Sequence, residues 1–371
     1  MTVPQLLGEY LNRSICQGMT LPHLLMILLG ILLITLGGIK GYKPLLLLPI
    51  GFGMILGNLP GLQPVGASEF SLLEQGMRSG LFPALIFLGM GAATDFSSLL
   101  SNPKLVLLGC AAPIGIAMTL LGMNLAGVPL ADAAAMSMAG AANGPTSVYL
   151  ASKLSPDLIG PIAVAAYLYM ALVPVIQPWI LRGLTTREER RIQMPAIRES
   201  RKSERVCLPL MLFGVCVLVS PGSVWLIGML CFGNLLREIG VTERLVTVAR
   251  GTLLDAVTLL LGLMVGASAT TTNFVTPATL LLLGIGLIAF VLATASGIGM
   301  AKLMNRVCDQ KTNPLLGAAG VSAFPDSARI VHEIGQEEDP SNFLLDHATA
   351  PNLAGLIGSV LTAGLFWMWL G

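Results

Sequence analysis

The stretch GAANGPTSVYL, Gly140 to Leu150, combines small residues, an amide, a proline and two hydroxyls within a very apolar chain. Of the 371 residues, 54% are hydrophobic and 11% are charged, whereas soluble proteins carry about 25% charged residues. Apolar runs on both sides of the stretch approach the roughly 20 residues that a bilayer core requires. The composition predicts a polytopic membrane protein, in which this stretch interrupts a helix at membrane depth.

Other global features narrow the class of protein. The net charge of +1 supplies no basic field for nucleic acid. The segment Met1 to Gln17 lacks a basic start before an apolar run, so no cleavable signal is predicted. We predict instead that residues 1–20 form an amphipathic N-terminal helix at the membrane interface.

The chain contains an internal duplication. Four segments of the first half recur in the second: Gly57-Asn58-Leu59 as Gly233-Asn234-Leu235, Leu88–Asp95 as Leu263–Thr270, LVLLG ending at Gly109 as LLLLG ending at Gly284, and GAAN at Gly140 as GAAG at Gly317. The offset stays near 175 to 177 positions, which chance likeness rarely sustains. We predict two membrane repeats, residues 21–181 and 207–371, joined by a basic linker at residues 182–206.

The basic loops predict how the repeats are oriented. Arg182 to Arg205 holds eight of the 21 Lys and Arg residues, and the positive-inside rule puts this linker in the cytoplasm. The other basic loops stay on the same side only if residues near 131–158 form a re-entrant hairpin, and residues near 312–338 form a second one. The predicted fold is therefore an all-α polytopic membrane protein with two inverted-topology repeats, whose broken-helix hairpins meet near the membrane midplane.

The first hairpin tip offers oxygen donors. Gly144-Pro145 interrupts helical hydrogen bonding, and non-helical backbone at membrane depth is tolerated where it is buried in protein or lines a wet cavity. Freed carbonyls, together with Asn143, Thr146 and Ser147, are hard donors suited to a dehydrated alkali cation. For the small residues at positions 140–142 we favour helix packing.

The second tip, TNPLLGAAGVSAFPDSAR, supplies a similar set of groups: Asn313, Gly317, Gly320, Ser322, Asp326 and Arg329. Ser322, Asp326 and Arg329 are spaced i, i+4 and i+7, so they share one face if that piece is helical. Amide and charged groups at membrane depth are costly, which makes Asn143, Asp326 and Arg329 functional candidates. Two further carboxylates, Asp255 and Asp346, are candidate ion carriers or helix-end partners, and both alternatives stay open.

Long sequence blocks carry a resemblance to a known family. They are GYKPLLLLPIGFGMILGNLP from Gly41, FPALIFLGMGAATDF from Phe82, NGPTSVYLASKLSPDLIGPIAVAAYLYMALVPVIQP from Asn143, LTTREERRI from Leu184, NPLLGAAGVSAFP from Asn313 and GQEEDPSNFLLDHATAPNLAGLIGS from Gly335. The chain resembles the β subunit of the biotin-dependent, sodium-pumping decarboxylases, the family of oxaloacetate, methylmalonyl-CoA, glutaconyl-CoA and malonate decarboxylases. The likeness runs almost from end to end.

The resemblance implies a function and a set of partners. It implies a carboxybiotin decarboxylase subunit of the cell inner membrane that releases CO2 from carboxybiotin on a separate carrier and couples this to outward sodium transport. The implied cofactors are Na+ and biotin. The implied partners are a biotin-carrier and carboxyltransferase α-type subunit, a small γ-type membrane subunit, membrane lipid, and further copies of this chain within a complex. It places the ion and proton site on Asn143, Tyr169, Asn313, Gly317, Ser322 and Arg329, with Tyr169 and Arg329 as catalytic residues.

One position departs from the family pattern. The family's first tip usually reads GGADGPT, and this chain reads GAANGPT, with Asn143 in place of the aspartate. An amide ligates sodium through its oxygen but neither binds a proton nor neutralises the ion. We hypothesise that the carboxylate has moved to Asp326, facing Ser322 and Arg329, so that Asn143, Thr146, Asn313, Gly317, Ser322 and Asp326 bind the cation, with Na+ on Asn143, Asn313, Ser322 and Asp326. Pairing of Asp326 with Arg329 and loss of pumping is the open alternative.

Two other functions remain open at this level. A stand-alone elevator-type symporter of sodium and an organic anion uses the same hairpins, with an arginine that clamps a carboxylate. A family member in which coupling is lost, because Asn143 replaces the usual aspartate, keeps the fold without the pumping. Co-purification of a biotinylated protein separates the decarboxylase from the symporter.

Overall fold

The fold is described from a computed structural model of the chain, which covers residues 19–60, 70–196, 198, 200–308 and 310–371. Within these ranges the backbone forms helices and no β-strand. The amphipathic helix predicted for residues 1–20 lies, except for its last two positions, outside the described residues.

The helices follow one another with short connections. In chain order they are α1 (Leu21–Gly38), α2 (Pro44–Gly57), α3 (Ser71–Arg78), α4 (Leu81–Ala93), α5 (Ser97–Ser101), α6 (Ala111–Leu125), α7 (Leu130–Ser137), α8 (Gly144–Leu154), α9 (Ile159–Leu184), α10 (Arg187–Arg190), α11 (Lys202–Val219), α12 (Val224–Ile239), α13 (Glu243–Val248), α14 (Leu254–Ser268), α15 (Thr271–Phe274), α16 (Pro277–Val307), α17 (Leu315–Ala318), α18 (Asp326–Glu338) and α19 (Leu345–Leu370). Turns of 3-10 helix at Pro103–Cys110, Met138–Ala141, Pro156–Leu158 and Pro221–Ser223, and a π turn at Ala249–Leu253, link several of them.

Six helical segments in the described ranges are long and apolar enough to cross a membrane: Leu21–Gly38, Pro103–Leu125, Pro156–Leu184, Glu243–Ser268, Pro277–Val307 and Leu345–Leu370. A seventh span results if α3 and α4, which meet at a bend of 65°, cross together. In lipid a helix satisfies its own backbone hydrogen bonds, which explains why the apolar runs take this form. The prediction of an all-α polytopic membrane protein is confirmed.

Equivalent segments of the two predicted repeats make equivalent contacts. Helix α2 packs along α14, and α12 packs along α4. At the end of α2, the Asn58 side-chain nitrogen donates to the carbonyl of Ala269 at 2.8 Å. Asn234, its counterpart in the duplication, donates to the carbonyl of Thr94, also at 2.8 Å, and Thr94 and Ala269 are themselves aligned by the duplication. These contacts agree with a duplicated chain, whereas the opposite membrane orientation of the repeats stays a prediction.

Both predicted hairpin regions contain a helix break. In the first, α7 tightens into the 3-10 turn Met138–Ala141, and Ala142 then adopts a left-handed backbone conformation (φ 52°) before α8 begins. A non-glycine residue in this region costs about 1 kcal/mol or more. In the second, α17 ends at Ala318 and α18 begins only at Asp326. The two breaks bring non-helical backbone into the protein interior, where Ala142 and Val321 are fully buried.

The linker folds back onto the second hairpin region. Arg190 donates to Glu338 from two nitrogens, at 2.6 and 3.0 Å, and Lys302 pairs with Glu189 at 2.9 Å. The hydrogen bonds from Arg190 hold the pKa of Glu338 below its ordinary value. The segment around Arg190 is thereby tied to the end of α18.

Candidate functional site

Asn143 occupies the first helix break. Its side-chain Oδ1 accepts a hydrogen bond from the Thr146 backbone N–H at 3.2 Å, and this interaction caps the start of α8. The Ser147 hydroxyl donates to the Asn143 carbonyl at 2.6 Å. Asn is a preferred N-cap residue, and Pro145 suits the first turn of a helix. The sequence NGPTS therefore starts a helix inside the protein and fixes the Asn143 side chain.

The side-chain nitrogen of Asn143 forms hydrogen bonds with two hydroxyls from the second half of the chain. Asn143 Nδ2 donates to Ser322 Oγ at 2.9 Å and to Ser359 Oγ at 2.8 Å. The two serine oxygens lie 2.9 Å apart, and Ser359 also donates to the Leu356 carbonyl at 2.7 Å. None of the three side chains is more than 3% exposed. We call Asn143, Ser322 and Ser359 the amide–hydroxyl cluster.

The donor directions within the cluster are fixed. The Thr146 N–H needs a hydrogen-bond acceptor, so the Asn143 atom that faces it is Oδ1. The NH2 group of the same side chain therefore faces the two serines. Since the Ser359 proton goes to Leu356, Ser322 donates to Ser359. Both lone pairs of Ser359 are therefore occupied, and one lone pair of Ser322 has no donor within the described part of the chain and can bind another ligand.

Two buried hydroxyls on the helices next to the cluster have no hydrogen-bond partner among the described residues. They belong to Thr146 and Tyr167. Leaving a buried polar group unpaired costs about 1–3 kcal/mol. Thr146 belongs to the first turn of α8, which Asn143 caps. Its free hydroxyl oxygen adds a donor of the kind that sodium accepts.

Two side chains hold the second helix break. Gln177 donates to the Ala318 carbonyl at 3.2 Å, and Asn352 donates to the carbonyls of Ala319 and Val321 at 2.9 Å each. Their amide oxygens are buried and have no partner in the described part of the chain. These contacts fix the unwound backbone that leads to Ser322.

Sequence analysis did not identify Ser359, Asn352 or Gln177 as candidate site residues. Ser359 and Asn352 lie seven positions apart on α19, so they share a helix face. Their spacing within an apolar helix could have identified them, because isolated polar residues in a membrane span are candidates for functional residues. Gln177 gave the same indication within α9.

Asn313 contacts the linker. Its Nδ2 donates to the carbonyls of Arg190 and Ile192 at 2.9 and 2.8 Å, and its Oδ1 accepts from the Leu315 N–H at 3.0 Å. Asn342 Nδ2 reaches the same two carbonyls, at 3.0 and 3.3 Å. Among the described residues, Asn313 makes no hydrogen bond to Asn143 or Ser322. In this structure its side chain anchors the linker.

Gly317 and Tyr169 both lie against α16. A Cβ atom on Gly317 would come within 2.0 Å of the Gly297 carbonyl oxygen, so only glycine allows this approach. The Tyr169 hydroxyl lies 2.8 Å from the Leu282 carbonyl oxygen and 3.0 Å from that of Leu283, with its ring against Gly286. The phenol proton is therefore directed at carbonyls of α16.

Asp326 and Arg329 differ from the predicted arrangement. Asp326 is buried and pairs with Lys43, at the start of α2, and Arg329 is exposed. Neither the predicted facing of Asp326 and Arg329 nor the alternative of their pairing is found, because Asp326 points inward to Lys43 and position 329 is exposed. Ser322 precedes the helix, so the i, i+4, i+7 spacing does not apply to it. Asp326 Oδ2 has no hydrogen-bond partner within the described ranges.

Lys43, the partner of Asp326, was not identified as a site residue in the sequence analysis. It has a left-handed backbone (φ 44°) immediately before Pro44. Its side chain is 27% exposed, and that of Asp326 is 6% exposed. Arg329 follows Asp326 by three residues on α18. The start of α18 therefore combines a neutralised ion pair with an accessible guanidinium.

Comparison with known proteins identifies the family. The protein-family model for the Na+-transporting oxaloacetate decarboxylase beta subunit matches residues 22–370 of this chain. The methylmalonyl-CoA decarboxylase subunit beta of Propionigenium modestum is 44% identical, over 97% of this chain and 98% of its own length. The glutaconyl-CoA decarboxylase subunit beta of Acidaminococcus fermentans is 44% identical, over 93% and 92% of the two chains. The oxaloacetate decarboxylase beta chain of Klebsiella pneumoniae is 42% identical, over 96% and 98%. The chain belongs to the family of β subunits of sodium-transporting decarboxylases.

Proposed function

We propose that this chain removes CO2 from carboxybiotin on a separate carrier subunit and couples the reaction to outward sodium transport. The observation that carries the proposal is the amide–hydroxyl cluster, which joins the two helix breaks in a chain of the decarboxylase β-subunit family. In the reaction, the bond from the biotin ureido nitrogen to the carboxylate carbon breaks. Its electron pair returns to the nitrogen, which takes a proton, and CO2 leaves.

Arg329 is the proposed contact for the carboxylate of carboxybiotin. Its guanidinium is exposed at the beginning of α18, where a carrier-bound group has access. Arginine binds a carboxylate through two parallel hydrogen bonds. The nearby Lys43 charge is balanced by Asp326, so Arg329 supplies the uncompensated positive charge at this position. Arg329 forms no ion pair among the described residues, so it also favours the anionic substrate over neutral biotin, which assists product release.

The cation site is proposed at the cluster. Ser322, which has a free lone pair, and Thr146, whose hydroxyl is unpaired, are the proposed oxygen ligands, with Asn143 and Ser359 holding Ser322 in position. The site contains no carboxylate, so sodium retains its full charge there and binds weakly. Weak binding is compatible with transport, because an ion must leave the site in every cycle.

The remaining predicted residues receive separate roles. Tyr169 is proposed as a proton donor, since its hydroxyl meets α16, the helix whose Gly297 contacts Gly317. Asn313 and Gly317 are proposed to position the second break, one through the linker and one through close helix contact. Asp326 is proposed to hold the start of α18 through Lys43.

The chain acts as one subunit of a multi-subunit membrane complex, and sodium is the ion of its family. We propose that its partners are a biotin-carrier and carboxyltransferase α-type subunit and a small γ-type membrane subunit. We further propose that several copies of this chain assemble in the complex, that it resides in the cell inner membrane in contact with lipid, and that the linker faces the cytoplasm. Biotin then enters as carboxybiotin on the partner.

The test is CO2 release from a carboxylated biotin carrier added to proteoliposomes that contain the chain and its partner subunits. Wild type is expected to release CO2 in a sodium-dependent manner. Arg329→Ala is expected to lower kcat/KM for the carrier about 10- to 100-fold, because it removes charge-assisted hydrogen bonds to the substrate. Arg250→Ala, at another exposed arginine, is the matched control and is expected to resemble wild type.

Two outcomes would contradict this function. Equal CO2 release by the Arg329 and Arg250 variants would remove Arg329 from the substrate site. Sodium-coupled uptake of an organic anion by the chain alone, without CO2 release when the partners are present, would replace the decarboxylase with a stand-alone carrier.

A further inference from the structure

A cavity of about 600 Å³ lies at the end of α9 that is remote from the basic linker. Gly160, in the first turn of α9, lines this cavity, and α9 is 26 residues long, with its last residues in the linker. A helix of that length spans roughly 39 Å. The cavity and the proposed substrate site are therefore at opposite ends of the molecule.

Asn58 forms the buried end of this cavity. Its side chain is 2% exposed, and Nδ2 donates both hydrogens to backbone carbonyls, those of Met54 and Ala269, at 2.8 Å each. Because both N–H groups are used, the orientation of the amide is settled and the remaining atom is the oxygen. That Oδ1 is buried with no hydrogen-bond partner among the described residues. The oxygen has unused lone pairs but almost no accessible surface, as has the equivalent oxygen of Asn234, so a cation in the cavity reaches Asn58 Oδ1 only after a small movement of the lining.

Further oxygen donors line the same cavity, contributed by Ser268, Thr270, Thr271, Thr272 and Asn273. The Ser268 hydroxyl donates to the Met264 carbonyl at 2.7 Å, and its lone pairs accept no hydrogen bond from the described residues. Thr270 and Thr272 place their hydroxyl oxygens 2.9 Å apart. Hydroxyl and amide oxygens are hard donors, which suit alkali cations.

The charges of the lining favour a cation. Arg78 is paired with Glu74 at 2.7 Å, so its charge is balanced. The Asp157 side chain is exposed and forms no ion pair within the described ranges. His23, the other titratable group of the lining, is bonded to the Thr20 hydroxyl at 2.7 Å. Asp157 therefore provides an unbalanced negative charge at the cavity.

We propose that this cavity is a second, weak alkali-cation site, with Asn58 Oδ1 as the inner ligand and Asp157 as the charge that attracts the ion. Its use as the exit for transported sodium rests on the proposed function, whereas cation binding itself does not. Neither Asn58 nor Asp157 belongs to the cluster around Asn143, so this site is separate from the one at the helix breaks.

The exit role is tested by sodium inside proteoliposomes. Carboxylated carrier is supplied outside, the membrane potential is collapsed with an ionophore, and the lumen contains increasing NaCl or choline chloride. Lumenal sodium is expected to slow CO2 release in wild type, and choline is not. Asp157→Asn is expected to raise the half-inhibitory lumenal sodium concentration about fivefold, because a unit charge at about 4 Å in water is lost. Glu243→Gln removes an exposed acid elsewhere and should match wild type.

Binding is tested independently by the ²³Na NMR linewidth of NaCl with the purified chain in detergent. Broadening is expected for wild type and Asn234→Ala, and is expected to fall for Asp157→Asn and Asn58→Ala. Asn234 is the matched control because its amide makes the equivalent contact between repeats. If Asp157→Asn leaves the linewidth unchanged, the site is wrong. If it lowers the linewidth but not the lumenal inhibition, the exit role is wrong. If no CO2 is released at all, the linewidth still decides the site, and the failure belongs to the proposed function.

Discussion

Replacing Asn143 by aspartate is expected to strengthen sodium binding at the amide–hydroxyl cluster. In the structure the amide donates to Ser322 and Ser359 at 2.9 and 2.8 Å, and these donations occupy hydroxyl lone pairs. A carboxylate oxygen in the same place accepts from the hydroxyls instead. The lone pairs of both serines then become available to sodium, beside a full negative charge.

The magnitude follows from two opposing effects. A carboxylate about 4 Å from sodium contributes roughly 4 kcal/mol of attraction at an effective dielectric constant near 20. Burial of the carboxylate offsets part of this attraction. A net gain of about 1.4–3 kcal/mol corresponds to a half-saturating sodium concentration lower by about 10- to 150-fold. A buried carboxylate also binds a proton when no cation is present, so sodium activation of the variant should become weaker at lower pH.

The assay is CO2 release from carboxylated carrier as a function of sodium concentration, at two pH values, for wild type and Asn143→Asp. Asn143→Ser is the useful control, since it retains a capping oxygen for Thr146 without adding a charge. An unchanged sodium response in Asn143→Asp would refute the argument, because the carboxylate would then lie outside the cation site.

Further predictions concern residues that were identified or reassigned by the structure. Ser359→Ala removes one hydroxyl of the cluster and should raise half-saturating sodium about threefold to tenfold, since a hydrogen bond contributes about 0.5–1.5 kcal/mol; an unchanged value contradicts the cluster. Lys43→Met leaves the Asp326 carboxylate buried and unpaired, and should lower unfolding stability by about 2 kcal/mol, measured by unfolding in detergent, with Lys43→Met combined with Asp326→Met recovering most of the loss. Glu338, whose lowered pKa reflects hydrogen bonds from Arg190, stabilises the linker contact above its unfolded pKa of about 4.3 and loses this contribution as pH falls through the lower folded value. Protease cleavage of the linker should therefore increase only in that acidic range, and Glu338→Gln should make cleavage insensitive to pH there.

Local sequence rules explain why the fold class and the helix breaks were predictable. Apolar runs of bilayer length predict spans, and the NGPTS sequence combines an N-cap amide with a proline in the first turn. Both features depend on residues that are close together in the chain, so they can be recognised in a single sequence. The structure has a helix break at Asn143, where this sequence occurs, and a second break before Asp326.

Contacts between distant segments were not predictable in the same way. Ser359 reaches Asn143 from 216 positions away, and Lys43 reaches Asp326 from 283 positions away. Helical spacing predicted that Asp326 faces Ser322 and Arg329. The spacing does not extend to Ser322, because the helix begins at Asp326, and Asp326 pairs with the distant Lys43 rather than with Arg329.

Coupling is tested most directly by measuring CO2 release and ²²Na+ uptake together, in proteoliposomes that contain the chain with its partner subunits and receive carboxylated carrier outside. Wild type is expected to accumulate sodium in proportion to the CO2 released, and both processes are expected to fall together when Arg329 is replaced by alanine. CO2 release without sodium uptake, at every sodium concentration, would contradict coupling through the Asn143 site.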